Sequence, residues 1–142
     1  MVTRLLAIAL TLTILAPSSI AGQEVRMAVI VHPERRATLS IEELAQIYLR
    51  RKRFWDDGST IVPLNLPSEA PLRAHFAQAV LHQTETRLAE YWNRQYFSGV
   101  LPPATLASTE AVRRYVASDP NAIGYVPASE VDGSVRVVLH LE

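Results

Sequence analysis

The chain contains no cysteine. Disulfides, thiol nucleophiles, thiolate metal sites and CxxC redox chemistry are therefore excluded. An excess of one charge is missing as well, with 14 basic residues against 14 acidic ones. A general nucleic-acid binder needs positive excess to displace counterions from phosphates, so DNA and RNA are not expected partners. Glycine is scarce, five in 142 residues, and neither G-x-G-x-x-G nor a Walker lysine motif occurs. The usual phosphate-cradling loops of nucleotide cofactors are thus absent. There is no G-x-S-x-G elbow either, and no nucleophile–base pair can be named. Asp56 and Asp57 are adjacent, but neighbours in a D-D-G turn point apart into water and do not make a catalytic pair. His75 and His82 lie two helical turns apart, too far to share an ion, and His32 stands alone before Pro33. The expectation is a protein that is not an enzyme, with no cofactor and no metal site.

Long apolar runs are confined to the N-terminus. Arg4 precedes the apolar stretch Leu5–Ala16, and Pro17-Ser18-Ser19-Ile20-Ala21 then breaks it at a small-residue site. This pattern reads as a secretory signal peptide over residues 1–21, cleaved after Ala21. Twelve apolar residues rise about 18 Å as a helix, short of the roughly 30 Å hydrocarbon layer, so no stable membrane anchor is expected. No cysteine follows the run to carry a lipid. The expected location is periplasmic or secreted, with residues 22–142 forming one domain. A domain of that size removes roughly two thirds of its unfolded surface from water and needs no staples.

Within that domain the hydrophobic period alternates. Val25–Val31 is β-branched and becomes continuously apolar, as in a central strand covered on both faces. Ser40 precedes Ile41, Leu44, Ala45 and Tyr48 at i, i+3, i+4 and i+7, with Glu43 placed for a capping box, which predicts a helix over 41–50. Ile61–Leu66 reads as a strand, and Pro63 argues for an edge or an irregular segment. Leu72, Phe76, Ala79 and Val80 mark a helix over 71–81; Leu88, Tyr91, Trp92 and Tyr96 mark another after Thr84; Val112, Tyr115 and Val116 mark a fourth, opened by Ser108 and ended by Asp119-Pro120. Ala122–Val126 and Val135–Leu139 close the chain as strands. Strands separated by helices imply an α/β domain, a mixed sheet flanked by about four helices.

Arg50-Arg51-Lys52-Arg53 followed by Phe54-Trp55 could present Arg50, Arg51, Arg53 and Trp55 to an anionic partner. The plainer alternative places these cations in a helix's last turn, where they complement its dipole, with Asp56 and Asp57 as counter-charges.

Several segments share an order. Leu39-Ser40-Ile41-Glu42-Glu43-Leu44, Ile47-Tyr48-Leu49, Trp55-Asp56-Asp57-Gly58, Ile61–Asn65, Arg73-Ala74-His75-Phe76, Tyr91-Trp92 and Asn121-Ala122-Ile123-Gly124-Tyr125 together resemble the phosphate-type periplasmic solute-binding proteins, receptors of phosphate ABC transporters. The resemblance covers most of Val25 to Val138. It implies one lobe of a type II periplasmic-binding-protein-like fold, since full members have two lobes that close on an anion. In that family an arginine and a Ser-Gly-Thr-Arg helix start grip phosphate. Here Leu66 stands at the arginine and Ala70-Pro71-Leu72 at Ser-Gly-Thr, and Glu69 adds repulsion. Each lost charge-assisted bond removes about 1.5–3 kcal/mol. What remains is Asn65, Ser68 and Arg73, expected to hold a small, phosphate-like oxyanion weakly if at all. The bland reading of the same residues is that Ser68 caps the helix and Arg73 pairs with Glu69. The alternative function is an interaction or sensor module that has lost its ligand and docks an envelope or transporter protein.

Overall fold

Five residues, Met27–Val31, form strand β1, and every one of them is buried. The computed structural model describes residues 25–142; the expected signal peptide over 1–21 lies outside the described residues. From β1 the chain continues through α1 (Ile41–Tyr48), β2 (Val62–Asn65), α2 (Pro71–Phe76), α3 (Glu85–Tyr96), β3 (Ala104–Thr105), α4 (Thr109–Ser118), β4 (Ala122–Pro127) and β5 (Arg136–Leu141). The strands make one sheet in the order β3-β2-β4-β1-β5. β2 runs parallel to β3 and β4, whereas β1 is antiparallel to both β4 and β5. The mixed α/β domain and the central position of Val25–Val31 are as the residue pattern predicts.

Helices lie on both faces. Gly124 and Tyr125 are successive on β4 and so point to opposite sides. A Cβ on Gly124 would stand 2.4 Å from Val112 Cγ1, which sets how closely α4 approaches that face. On the other face Tyr125 meets Phe76 of α2 in a parallel stack at 4.0 Å, and Tyr48 of α1 lies 4.6 Å from Phe76. The Tyr48 hydroxyl donates to the Leu64 carbonyl at 2.8 Å, which ties α1 to β2.

Helix starts follow local chemistry. Ser40 Oγ accepts from the Glu43 N–H while Glu43 Oε2 accepts from the Ser40 N–H, a complete capping box. Ser108 and Thr84 cap α4 and α3 through the Ala111 and Arg87 N–H groups.

Three expectations need correction. β2 is an interior strand, not an edge, with Pro63 buried and opposite Ile123. The Val62 N–H bonds Asn121 on the β4 side, so the proline nitrogen faces the β3 side, where pairing begins only at Leu64 opposite Ala104. No ladder bond is lost there. The helix expected over 71–81 is α-helical only to Phe76 and widens into a π-helical turn over Ala77–Leu81, closed by His82 at φ 52°. Finally, α1 stops at Tyr48 with no basic residue in its last turn. Arg50 adopts φ 62°, and its N–H and that of Arg51 return to the Ile47 and Gln46 carbonyls. This is a Schellman closure with arginine where glycine is the usual occupant, so the basic run lies beyond the helix.

Candidate functional site

The carboxyl ends of β2, β3 and β4 define the sheet edge at which α/β domains hold ligands. Asn65, the last residue of β2, is on that edge. Its Oδ1 accepts from the Leu66 N–H at 2.9 Å and from the Tyr125 hydroxyl. Burial pushes the Tyr125 phenol well above its ordinary pKa, so it stays a donor.

Pro71 then fixes the start of α2. Proline is suited to the first helical position, and this makes Ala70 the N-cap, with no side-chain bond. Ser68 falls two residues short of the cap, and its hydroxyl donates to Glu69 Oε2 at 3.2 Å. The bland expectations for Ser68 as a cap and for an Arg73–Glu69 pair therefore both give way, because Ser68 and Glu69 both precede the helix, where a spacing of four does not place Glu69 on the face of Arg73. Arg73 turns elsewhere. Its Nη1 donates to the Leu66 carbonyl at 2.8 Å and its Nε lies 3.6 Å from Glu85 Oε2, at the start of α3. Sequence reading missed Glu85, which no motif marks. Its other oxygen, Oε1, is buried with no hydrogen-bond partner.

These groups border an open groove of about 390 Å³ lined by Ser68, Arg73, Glu85, Thr86 and Trp92. Ser68 and Arg73 thus share a cleft, while Asn65 lies behind it, lining a small cavity with Arg73 and Glu85. The charges of Arg73 and Glu85 oppose one another within the cleft. An incoming oxyanion meets an arginine already engaged by a carbonyl and a carboxylate.

The basic run divides. Trp55, expected on a docking surface, is a core residue at 4% exposure, and its Nε1 donates to the Asn121 carbonyl at 3.1 Å. The D-D-G turn, with Gly58 at φ 84°, folds the chain back so that the indole is covered. Arg51 and Arg53 are exposed, and Arg50 is half-buried with its Nε unpartnered. Lys52 pairs with Glu43 at 3.2 Å. The Arg51 guanidinium lies 5.8 Å from the Tyr91 ring centre, and the Tyr91 hydroxyl donates to the Leu49 carbonyl.

No protein-family model and no curated protein sequence matches the chain. Solved structures do. A phosphate ABC-transporter substrate-binding protein from Clostridium perfringens, so named and solved with phosphate bound, superposes with a TM-score of 0.66 at 22% identity, over 79% of this chain and 43% of that one. An ABC-type phosphate transport receptor from Vibrio cholerae gives 0.64 at 17% identity, over 82% and 50%. PstS from Borrelia burgdorferi gives 0.62 at 17% identity, over 79% and 46%. The fold is that of a periplasmic binding protein. This chain spans about half the length of the structures it matches.

Within this binding-protein fold, two of the segments that carried the resemblance have a structural task. Arg35 lies in the loop after β1. Its Nη1 bonds Asp57 Oδ2 at 2.8 Å, its Nη2 bonds Asn121 Oδ1 at 2.8 Å, and its Nε bonds the Pro120 carbonyl at 2.9 Å. The guanidinium also sits over Trp55, 4.8 Å from the ring centre. Trp55-Asp56-Asp57-Gly58 and Asn121–Tyr125 are thereby locked together at the amino ends of β2 and β4, opposite the carboxyl edge. Arg35 went unmarked in the sequence because its partners are 22 and 86 residues away. Among the described residues, no group of three or more His, Asp or Glu side chains is arranged to hold a metal ion.

Proposed function

We propose that this chain is an exported, non-enzymatic binding module of the solute-receptor type that acts in the cell envelope by engaging a partner protein, its anion-gripping groups being turned inward. The observation that carries this reading is the engagement of Arg73 by the Leu66 carbonyl and Glu85, with Asn65 Oδ1 taken by Leu66 and Tyr125. In the cleft one positive charge faces one negative charge, and no hydroxyl stands at the cap of α2. A free oxyanion finds little net attraction there, since charge-assisted bonds are its main source of affinity. The fold neighbours carry names of phosphate receptors, and the departure of this chain from the phosphate grip separates it from their ligand.

A second reading keeps the oxyanion. It is favoured by the open cleft of about 390 Å³ that holds Ser68 and Arg73 side by side. Here the site holds a phosphate-like anion weakly between Ser68, Arg73 and the backbone from Asn65 to Ala70.

Isothermal titration of the purified protein with phosphate and with sulfate separates the two. The first reading expects a Kd weaker than about 1 mM, equivalent to less than about 4 kcal/mol of binding. Glu85→Gln frees Arg73 and is expected to improve phosphate affinity at least about threefold. Micromolar binding by the unaltered protein overturns the first reading. Flat traces for both proteins remove the second.

A further inference from the structure

A second and larger depression adjoins the Ser68–Arg73 cleft, sharing Thr86 and Leu88 with it. It is a groove of about 880 Å³ between the loop that follows α1 and the exposed side of α3, with Leu49, Leu81 and Leu88 among its lining residues. Three arginines, Arg51, Arg87 and Arg94, stand along it, all exposed, against one carboxylate, Glu90. Among the described residues none of the three has a carboxylate within 4.0 Å, whereas Arg26, Arg35, Lys52, Arg73, Arg113 and Arg114 each have one. Arg36, Arg50, Arg53 and Arg136 likewise have no carboxylate partner among the described residues, but they lie outside the groove, which brings three such cations together in one concave place.

The groove is also held in shape. The Tyr91 hydroxyl fastens α3 to the Leu49 carbonyl at 2.9 Å, and Arg51 lies against the Tyr91 ring. The left-handed turn at Arg50 is what carries Arg51 out of line with α1 and over α3. Preformed walls lower the ordering cost of binding.

The geometry points to this groove as the docking site for an extended acidic segment of a partner protein, which rests on the interaction-module reading above. Arg87 and Arg94 are seven residues apart on one helix face, hence about 10.5 Å along its axis. A polyproline II segment advances about 9.3 Å in the three residues that return it to the same side, so carboxylates at every third position match the two guanidiniums. The leucines take the apolar side of such a segment, and the hydroxyls and amide of Thr84, Thr86 and Gln83 at the groove margin can bond its backbone. A concave groove with leucines in its lining suits a peptide chain. Phospholipid headgroups and nucleic-acid backbones call for a broad positive field instead.

The test is fluorescence anisotropy of a labelled peptide with four Glu-Pro-Ala repeats against the purified protein, beside the matching Lys-Pro-Ala peptide. Expected is saturable binding of the acidic peptide only, weakened about tenfold or more by Arg87→Glu with Arg94→Glu and by raising sodium chloride from about 50 to about 300 mM. Arg114→Glu, on α4, leaves it unchanged. Retention of binding in the double variant, equal loss in Arg114→Glu, or equal binding of the basic peptide overturns the proposal. So does preferential binding of phosphatidylglycerol vesicles or of oligo-dT. Circular dichroism confirms that the exposed substitutions leave the fold intact, and Arg87→Ala with Arg94→Ala repeats the measurement without reversing charge. Tight phosphate binding at the Ser68–Arg73 cleft would overturn the first functional reading and leave the peptide result standing, so the two failures are distinguishable.

Discussion

Asp57 shows how a residue in a turn can serve the whole amino edge of the sheet. Its carboxylate accepts from the Ser59 hydroxyl and N–H and from Arg35, and these bonds draw its pKa down from 3.8 to about 2, the Ser59 hydroxyl contributing most. A carboxyl that is more acidic in the folded state stabilises that state above its unfolded pKa, near 4, and this contribution is lost as the pH falls through about 2. Thermal melts of Asp57→Asn and of the unaltered protein are expected to differ at neutral pH and to converge by about pH 2. A constant difference across that range would show that the substitution acts through shape alone. At this scale the sequence was a partial guide. The caps at Ser40, Thr84 and Ser108 were readable, because each is settled by groups within three residues. Trp55 was misplaced on the surface, because its burial depends on Arg35 and Asn121, far away in the chain. Glu85 was invisible for the same reason, its relation to Arg73 arising only once α2 and α3 are laid side by side.

Elements were read more faithfully than their junctions. The helices follow from the 3.6-residue period of the buried faces of α1, α3 and α4, and β1 follows from its unbroken β-branched and apolar run, buried on both faces. The π-helical turn after Phe76 was not readable, since Ala79 and Val80 keep an apolar stripe in either winding. Pro63 misled because a missing donor matters only on the side where a partner strand exists. The contact between α4 and β4 offers the sharpest measurement. Gly124→Ala places a methyl group 2.4 Å from Val112 Cγ1, so α4 must move outward or Val112 must leave its rotamer. Overpacking of this kind costs about 1–3 kcal/mol. Urea unfolding is expected to report that loss, and Val112→Ala in the same chain is expected to recover part of it. An unchanged midpoint in Gly124→Ala would show that the helix stands further from the sheet.

For the whole molecule, the α/β layering was readable from the sequence, whereas the pairing of its charges was not. The chain balances its charges in number but not in place. Arg35 at the amino edge and Arg113 and Arg114 on α4 are paired, whereas Arg51, Arg87 and Arg94 around α3 have no carboxylate partner among the described residues. The fold is shared with chains about twice as long, and at the carboxyl edge of this one Arg73 is engaged by the Leu66 carbonyl and Glu85. Its topology also predicts a hard boundary at the far end. Removing residues 136–142 deletes β5 and strips one side of β1, whose five residues are all buried. Such a chain is expected to lose its cooperative melt and to be digested rapidly by protease; a folded truncation would refute the central role of β1.

The order in which the strands sit has a temporal consequence. β1 is the first strand of the described chain, yet its neighbours are β4 and β5, the last two. During synthesis β1 must wait, unpaired, until β4 and β5, some 90 residues and more further on, have left the ribosome, and such long-range pairing is slow. A nascent chain of this design keeps its opening strand pliant until β4 and β5 have both emerged to flank it.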